Sequence, residues 1–336
     1  MFNAKQLIDE NRILFAVPLK PLLGDRFQPT GFPSLGAAEY RTTSGRKLLV
    51  ESVQSMANRL EHTCWDPSTN SPVEDLSGIS HVTVLRKGEF LTDSMLESHR
   101  IYSPYIIKSK KDRTVFNLIK NALISSESGP VNTKRLAEFL LKYDIGSLLH
   151  GVFLADGELA GGRLRIARAL SAFIEASGVE VAASGGVKND HINPSGDTKS
   201  GFGNVPFPRD EYVAQQIVCY ISIDIAQIRG YGLDAKATEL LLLLSLYRIR
   251  KLLDGDLRLR TACDLEPIDR NSILAIRPSD FALPTLSELT DAVRKSIIAC
   301  KSMMVQTQVK FEDDLKKAKE KDDGDDDEEE QDSEEK

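Results

Sequence analysis

The segment from residue 184 to residue 209, SGGVKNDHINPSGDTKSGFGNVPFPR, restricts the possible folds more than any other part of the chain. It holds five glycines and three prolines in 26 residues. Ordering glycine is entropically costly and proline removes a backbone donor, so the segment is expected to be a long loop and neither helix nor regular central strand. A loop of this length in a compact domain usually has a function. Its glycines and its basic side chains, Lys188, Lys199 and Arg209, are typical of a surface that binds a polyanion.

Length and composition exclude several classes of protein. The 336 residues are 41% hydrophobic, which suffices for a large core. No apolar run approaches the roughly 18 residues of a membrane span, and the first residues, MFNAKQLIDENR, lack a signal-peptide pattern. The four cysteines form no CxxC pair. We therefore expect no membrane association, no disulfide framework, no zinc site, and a cytoplasmic location.

The charge of the chain is unevenly distributed. The net charge is −7, yet residues 322–336 alone carry −10, which leaves +3 on residues 1–321. The acidic run has no apolar residue to bury, so the sequence predicts a disordered C-terminal tail. Two interpretations of the tail stay open: a solubilising end, or an arm that competes with nucleic acid for a basic groove.

Hydrophobic periodicity predicts a mixture of helices and strands. The mixture has no strict βαβα alternation, which favours an α+β fold over a doubly wound one. An inserted subdomain is expected around residues 66–131, with strands at 81–85 and 101–107. The other predicted strands cover residues 12–23, 147–155, 179–183, 212–228 and 257–268. The predicted helices cover residues 48–65, 133–143 (capped by Asn132 or Thr133), about 169–176, 235–253 and 286–319.

Comparison with nucleotide-binding motifs leaves only a partial match. Residues 200–207 (SGFGNVPF) fit much of an RNA-recognition consensus, but Pro206 would delete a ladder bond from its central strand. A P-loop is excluded because Thr198 replaces a required glycine, and Pro206 likewise breaks a dinucleotide fingerprint. Asp190 and His191 are a possible acid–base pair, but no partner nucleophile is evident. The histidines show no metal-ligand spacing, so we expect no metal and no cofactor.

Arginines recur at the ends of elements beside glycine-containing turns. Arg229 follows the predicted strand at 212–228, and Arg258 and Arg260 alternate on a strand and so share a face. Another cluster lies at residues 163–168. This distribution is typical of a groove that tracks phosphates.

Seven blocks in a fixed order carry a family resemblance. They are ESVQSMANRLE (51–61), HGVFLA (150–155), RALSAFIEA (168–176), SGGVKNDHINPSG (184–196), GFGNVPF (201–207), AQIRGYGL (226–233) and LRLRTACDLE (257–266). Together they closely resemble the backbone (Cas seven type) subunit of type I-U, or I-G, CRISPR effector complexes, a member of the RAMP superfamily. The resemblance spans roughly residues 12–270.

The resemblance implies an RRM-like (ferredoxin-like) core with large insertions over residues 1–311, followed by a helix end and acidic tail at 312–336. It implies that copies of the protein polymerise along a CRISPR RNA with other subunits and present the guide for pairing with target DNA. In such complexes the protein reads backbone and shape, and base pairing reads sequence. Proteins of this class typically kink the guide with a hairpin from a neighbouring copy, which we expect within residues 66–131.

The same resemblance implies a scaffold with no catalytic residue. Two alternatives stay open: an RNA-guided endoribonuclease acting through a loop residue such as Asp190, Asp197 or His191, and an assembly protein whose basic loop binds an acidic protein surface. The RNA-binding candidates, chosen by chemistry within the matching blocks, are Lys188, Asn189, His191, Lys199, Gln54, Asn58, Arg59, Arg229, Arg258 and Arg260.

Overall fold

The computed structural model describes residue 2 and residues 4–32, 36–123, 132–255 and 257–314. The helices are α1 (Val53–His62), α2 (Pro104–Ile107), α3 (Thr114–Leu123), α4 (Thr133–Tyr143), α5 (Ile145–His150), α6 (Ile225–Gly230), α7 (Ala235–Asp254) and α8 (Leu286–Cys300). The strands are β1 (Arg12–Pro21), β2 (Gly31–Phe32), β3 (Gly36–Ala37), β4 (Glu39–Thr42), β5 (Gly45–Glu51), β6 (Trp65–Asp66), β7 (Ser71–Pro72), β8 (His81–Arg86), β9 (Glu89–Asp93), β10 (Val152–Leu154), β11 (Leu164–Ile166), β12 (Leu170–Lys188), β13 (Val205–Asp224), β14 (Leu257–Arg260), β15 (Cys263–Pro267), β16 (Ala275–Arg277) and β17 (Gln306–Lys310). This mixture confirms the α+β prediction. The predicted acidic tail lies outside the described residues.

One large antiparallel sheet organises the molecule. Its strand order is β14-β15-β1-β13-β12-β5-β4, and β16 also pairs with β1. Part of the chain runs β1, α1, β12, β13, α7, β15, so the first, second, third and fourth strands of this part are β1, β12, β13 and β15. In the sheet these strands lie in the order β15-β1-β13-β12, that is, fourth, first, third and second. On β1, Ile13, Phe15, Val17 and Leu19 alternate with exposed or half-buried residues, so one face of the sheet enters the core.

Helices cover that buried face. Helices α1 and α5 pack on β12, and α6 packs on β1. Helix α7 lies between α1 and α8, and its residues are buried on nearly every side, which matches its apolar sequence. The predicted helices at residues 133–143 and 235–253 are confirmed, including the Asn132 cap, whose side chain accepts a hydrogen bond from the Arg135 amide.

Several predicted elements are wrong, and for residues 48–51 and 169–176 pairing with a distant strand decides. The predicted helix near residues 169–176 is the start of β12, because Leu170, Ala172 and Ile174 alternate into the core opposite β13. Residues 48–51 belong to β5, so α1 begins only after its cap Ser52. Residues 101–107 form helical turns instead of a strand.

The predicted C-terminal helix is too long. Helix α8 begins with a capping box between Thr285 and Glu288 and ends at Cys300. The chain then extends as β17, which pairs in parallel with β8, so residues 312–314 are not a helix end. Strand β9 completes this second, three-stranded sheet.

The glycine-rich run forms the outer half of a long hairpin. Pairing of β12 with β5 stops at Ser177, and pairing of β13 with β1 stops at Ile217. Residues 179–188 then continue against residues 205–214 for about 30 Å. The prediction of an irregular loop holds for residues 189–204 but is wrong for the two ends of the run. Pro206 and Pro208 are tolerated there because this part is a two-stranded ribbon, where one side of each strand needs no donor. We call residues 179–214 the hairpin arm and residues 189–204 its tip.

Candidate nucleic-acid interface

One end of the candidate surface lies on helix α1. Gln54 and Asn58 are one turn apart on this helix, 3.5 Å from Nε2 to Oδ1. Arg59, beside them, reaches across to β14, where its guanidinium donates to the carbonyl oxygens of Arg258 at 3.1 Å and Leu259 at 2.5 Å. These contacts join α1 to β14 directly.

A buried carboxylate aligns two arginines of this surface. Glu51 is only 2% exposed, and it lies against Arg260 in an ion pair and 3.6 Å from the Arg59 Nε atom. Arg260 also donates to the Gln28 carbonyl oxygen at 2.9 Å. One negative charge between two cations leaves this point of the surface with a net positive charge.

The surface continues to the side of the hairpin arm, about halfway between the core sheet and the tip. Arg209 is hydrogen-bonded to the Gln28 side chain and donates to the Thr261 carbonyl oxygen at 3.0 Å. Arg209 and Arg260 line a cleft of about 670 Å³ with Gln28 and Tyr212. We define the basic band as the contiguous residues Gln54, Asn58, Arg59, Arg258, Arg260, Gln28 and Arg209. The first five are among the sequence-predicted candidates. Gln28 carried no sequence signal, and Arg209 was noted only within the glycine-rich run.

The arginine side chains of the band differ in solvent exposure. The Arg258 side chain is 78% exposed and lies 3.8 Å from Asp264, whereas Arg59 and Arg260 are about one-quarter exposed. Arg258 is therefore the arginine of β14 that solvent reaches most freely. Arg59 and Arg260 are held in place by contacts that leave part of each guanidinium at the surface.

Four more of the predicted residues, Lys188, Asn189, His191 and Lys199, lie at or beside the hairpin tip, where Lys188 ends strand β12. Asp190 orders this tip: its carboxylate accepts hydrogen bonds from the amides of Ile192 and Asn193 at 2.9 Å and of Gly203 at 2.8 Å. Backbone hydrogen bonds from Asn193, Gly203 and Ile192 lower the pKa of Asp190. Gly203 has a φ of +82°, and a Cβ atom there would lie 2.5 Å from the Gly196 carbonyl oxygen, so this tip requires glycine.

Arg229 lies apart from both groups. It belongs to α6, which follows the end of β13 opposite the hairpin tip. Its guanidinium is hydrogen-bonded to the carbonyl oxygens of Ile8 and Glu10, and it donates to Asn11 Oδ1 at 3.1 Å. These contacts tie the N-terminal segment to α6, so the structure does not bring Arg229 together with the basic band.

A second cleft, of about 690 Å³, adjoins the N-terminal end of α1. It is lined by Gln54, Arg100, His150, Phe153, Arg165 and Arg168, among others. The Arg168 guanidinium is hydrogen-bonded to the Gln54 side chain and donates to the His150 carbonyl oxygen at 3.2 Å. The cleft is thus continuous with the basic band through Gln54, and of its arginines the sequence indicated only the cluster at 163–168.

A buried ionic cluster lies behind this cleft. Arg100 and Glu61 are both nearly inaccessible and form a bidentate pair with distances of 2.8 and 2.6 Å. Burial raises the pKa of Glu61, although the Arg100 charge opposes that shift. His150 has a pKa well below its usual value, first because it is buried and then because Arg248, Arg100 and Arg168 lie nearby. His150 is therefore a neutral imidazole at pH 7.

Within the described ranges, no three His, Cys, Asp or Glu side chains cluster as metal ligands would. Over the same part of the chain, none of the helices is long and apolar enough to cross a membrane.

The fold and this surface define an α+β protein with an arginine-rich band beside the inner half of a long hairpin. The family model described as CRISPR-associated protein GSU0053 matches residues 13–181, half of the chain. The chain therefore belongs to this CRISPR-associated family, which confirms the resemblance found in the sequence. The matched segment runs from β1 into β12 and includes α1 and the second cleft.

No curated protein matches the chain. Among solved structures, one similar chain is described as part of a CRISPR RNA-guided surveillance complex, pre-nicking. It is 13% identical, the match covers 76% of this chain and 73% of that chain, and the TM-score is 0.40.

Proposed function

We propose that this protein is a CRISPR RNA-binding backbone subunit, of which several copies assemble along a guide RNA in a type I surveillance complex with other subunits. The observation that carries the proposal is the basic band, found in a chain of a CRISPR-associated family. Arginine and amide side chains in a contiguous row suit the phosphates and riboses of single-stranded RNA. The guide is then free to pair its bases with target DNA.

We infer that the core is RRM-like. The strand order β15-β1-β13-β12, with α1 after β1 and α7 after β13, supports this assignment because it is the order of a βαββαβ unit. The segment between α1 and β12 then contains the larger insertion, including β8 and β9, which form a sheet with β17 from the C-terminal part of the chain. The basic band then lies on α1, on β13 and β14 of the large sheet, and on the segment between β1 and β2 that contains Gln28.

The band suits a guide backbone because it is organised before RNA arrives. Glu51 aligns Arg59 and Arg260, while Arg258 and Asn58 remain accessible. Prealigned guanidiniums lose less side-chain entropy on binding than free ones. Lys188 and Lys199 add positive charge along the hairpin arm.

We propose that the hairpin arm, rather than residues 66–131, is the segment that reaches a neighbouring copy. The outer part of the arm, from the pair of Gly185 and Pro208 to the tip, supports this because it extends beyond the contacts of Tyr212 and Arg209 with the body of the protein. Ile192, Phe202 and Phe207 in this part are 97%, 56% and 42% exposed. Exposed apolar side chains on a projecting ribbon are typical of a surface that is covered in an assembly.

We further propose that the protein does not cut RNA itself. Asp190 and Asp197 are the loop carboxylates that a nuclease would use, and both have their oxygens engaged by hydrogen bonds of the tip. Asp197 accepts from the Lys199 amide at 3.1 Å and from the Ser200 hydroxyl at 2.6 Å.

We also propose a cytoplasmic location, which fits four cysteines that are all free, buried thiols.

Co-expression with a cognate CRISPR array, followed by sequencing of the copurified RNA, tests the RNA-binding proposal. We expect guide-length RNA in discrete, repeating footprints, and its loss in an Arg258→Ala, Arg260→Ala double variant. The Arg294→Ala variant, whose arginine pairs with Asp75 on another surface, is the matched control. Recovery of nucleic-acid-free protein at low salt would refute the proposal. Cleavage of complementary RNA by the loaded complex, abolished by Asp190→Ala, would establish the nuclease alternative.

A further inference from the structure

The last described residues lie between two segments that are rich in lysine. After β17, the chain passes beside the turn that joins β8 to β9 and beside the connection from α2 to α3. Glu312 Oε1 accepts a hydrogen bond from the Lys87 amide at 2.9 Å, and Asp313 Oδ2 accepts one from the Lys110 amide at 2.8 Å. The chain beyond Asp314 therefore starts from a fixed point between these two segments.

The two segments carry a group of basic side chains. We define the basic corner as Arg86, Lys87, Lys108, Lys110 and Lys111, and its four lysines are exposed. Among the described residues, the ammonium groups of Lys87, Lys108 and Lys110 have no hydrogen bond or ion pair. Arg86 and Lys111 donate to carbonyl oxygens of residues 313 and 312, at 3.2 and 3.5 Å. The carboxylates of residues 312 and 313 bind backbone amides, so the corner keeps cations that no carboxylate contacts.

The chain has a polyanion of its own close to this corner. Residues 322–336 contain eleven acidic residues and one lysine, and eight residues lead from Asp314 to the first of the acids. A fully extended chain spans about 3.4 Å per residue, so this acid lies within about 27 Å of Asp314. A segment on so short a tether meets the corner at an effective concentration on the order of millimolar.

The basic band is a poorer partner for this acidic run. Arg59 and Arg260 share the Glu51 carboxylate, and Arg258 lies 3.8 Å from Asp264. Each of these arginines thus already has a carboxylate nearby, whereas three lysines of the corner have none in contact. The corner therefore offers more uncompensated positive charge, and it lies where the acidic run is attached.

We propose that the basic corner binds residues 322–336 of the same chain. The contact joins lysine ammonium groups to carboxylates, so it is strong at low salt and weakens as salt screens the charges. The acidic run then keeps nucleic acid and other polyanions off the corner. The proposal holds whether or not the basic band binds RNA, because the two surfaces share no residue.

Carbodiimide crosslinking of the full-length protein tests the contact, because the reagent joins a lysine amine to a carboxylate that lies against it. We expect crosslinks from residues 322–336 to the lysines of the basic corner, and their loss at 1 M salt, where the Debye length is about 3 Å. Lys301 is the internal control, since it is exposed and precedes the start of β17, away from the corner. Crosslinks to Lys301 as frequent as those to the corner, or crosslinks confined to the lysines of residues 315–321, would overturn the proposal.

Isotope labelling identifies the chain that provides the acidic run. In an equal mixture of unlabelled and nitrogen-15-labelled protein, a contact within one chain gives crosslinked peptides that carry a single label. Crosslinked peptides that combine the two labels would show that the run binds another copy, and would overturn a contact within the chain.

A peptide with the sequence of residues 322–336 provides a second measurement. In a variant whose eleven acids are replaced by asparagine and glutamine, the corner is open and should bind the peptide. The wild-type protein should bind it about tenfold more weakly, because its own run competes from a millimolar effective concentration. Adding Lys108→Gln, Lys110→Gln and Lys111→Gln to the neutralised variant should abolish binding, while the backbone amide that holds Asp313 is kept.

The matched control removes three lysine charges elsewhere. Lys134→Gln, Lys236→Gln and Lys301→Gln alter exposed positions on α4, on α7 and after α8, and should leave peptide binding unchanged. Equal affinities of the wild-type and neutralised proteins for the peptide would overturn the proposal. Binding of oligothymidylate, but not of the peptide, to the neutralised variant would overturn it as well and would show that the corner is a nucleic-acid surface.

Discussion

Replacing Glu51 by glutamine tests how the basic band is built. The substitution keeps the shape of the side chain but leaves Arg59 and Arg260 without their shared counter-charge. Breaking a fully buried ion pair costs about 3–5 kcal/mol, and an exposed one costs about 1 kcal/mol or less. Glu51 is buried, but the two arginines are about one-quarter exposed, so solvent offsets part of the loss. We therefore expect the free energy of unfolding to fall by about 2 kcal/mol.

Urea unfolding followed by circular dichroism measures this change. With an m-value of about 3 kcal/mol per molar, the midpoint should fall by about 0.7 M. Glu266→Gln is the control, because Glu266 pairs with the more exposed Lys20 and Arg270 at 3.2 and 3.0 Å and should change stability by less than about 1 kcal/mol. Equal midpoints for Glu51→Gln and the wild-type protein would refute the view that Glu51 holds the two arginines in place.

Three further predictions concern the band, the buried histidine and the hairpin tip. The Arg258→Ala variant should bind single-stranded RNAs of every sequence more weakly and with a salt dependence smaller by about one counterion; an unchanged salt dependence in filter-binding assays would contradict a phosphate contact. His150 has a lowered pKa in the folded protein, so its contribution to stability is complete above the unfolded pKa of about 6.5 and is lost as the pH falls below it. Wild-type stability should thus lose up to about 2 kcal/mol more than His150→Gln between pH 6.5 and pH 5, and parallel pH profiles of the two urea midpoints would contradict this. Gly203→Ala should speed hydrogen exchange at residues 190–204 without lowering the urea midpoint, whereas Gly157→Ala, at an open position, should leave that exchange unchanged; slow exchange in both would show that the positive φ of Gly203 is dispensable.

Strong periodicity made some of the fold predictable from the sequence. Strand β1 and helix α7 follow patterns that fit one structure, so their predictions hold. Residues 169–176 satisfy both patterns: Ala169, Leu170, Phe173 and Ala176 suit a helix, and Leu170, Ala172, Ile174 and Ala176 suit a strand. The pairing with β13 decides between them, and no local signal contains it.

The candidate site likewise contains residues that local spacing groups together and residues that only distant contacts bring together. Arg258 and Arg260 alternate on one strand, and Gln54 and Asn58 lie one helical turn apart, so local spacing was enough to group each pair. Arg209 and Gln28 join the band only because β13 and the segment before β2 meet beside β14. The second cleft brings residues of α1 together with residues of β10 and β11, which lie about 100 residues later in the chain. Arg229 is separated from the band because its guanidinium binds carbonyl oxygens of the N-terminal segment, and no local pattern indicates that contact.

A structure of the protein assembled on guide RNA tests the central claim most directly. We expect guide phosphates within about 3 Å of the guanidinium nitrogens of Arg258 and Arg260, and the hairpin arm of each copy in contact with the next copy. A guide that runs along a different surface, with the basic band facing solvent or covered by another protein, would contradict the proposed function.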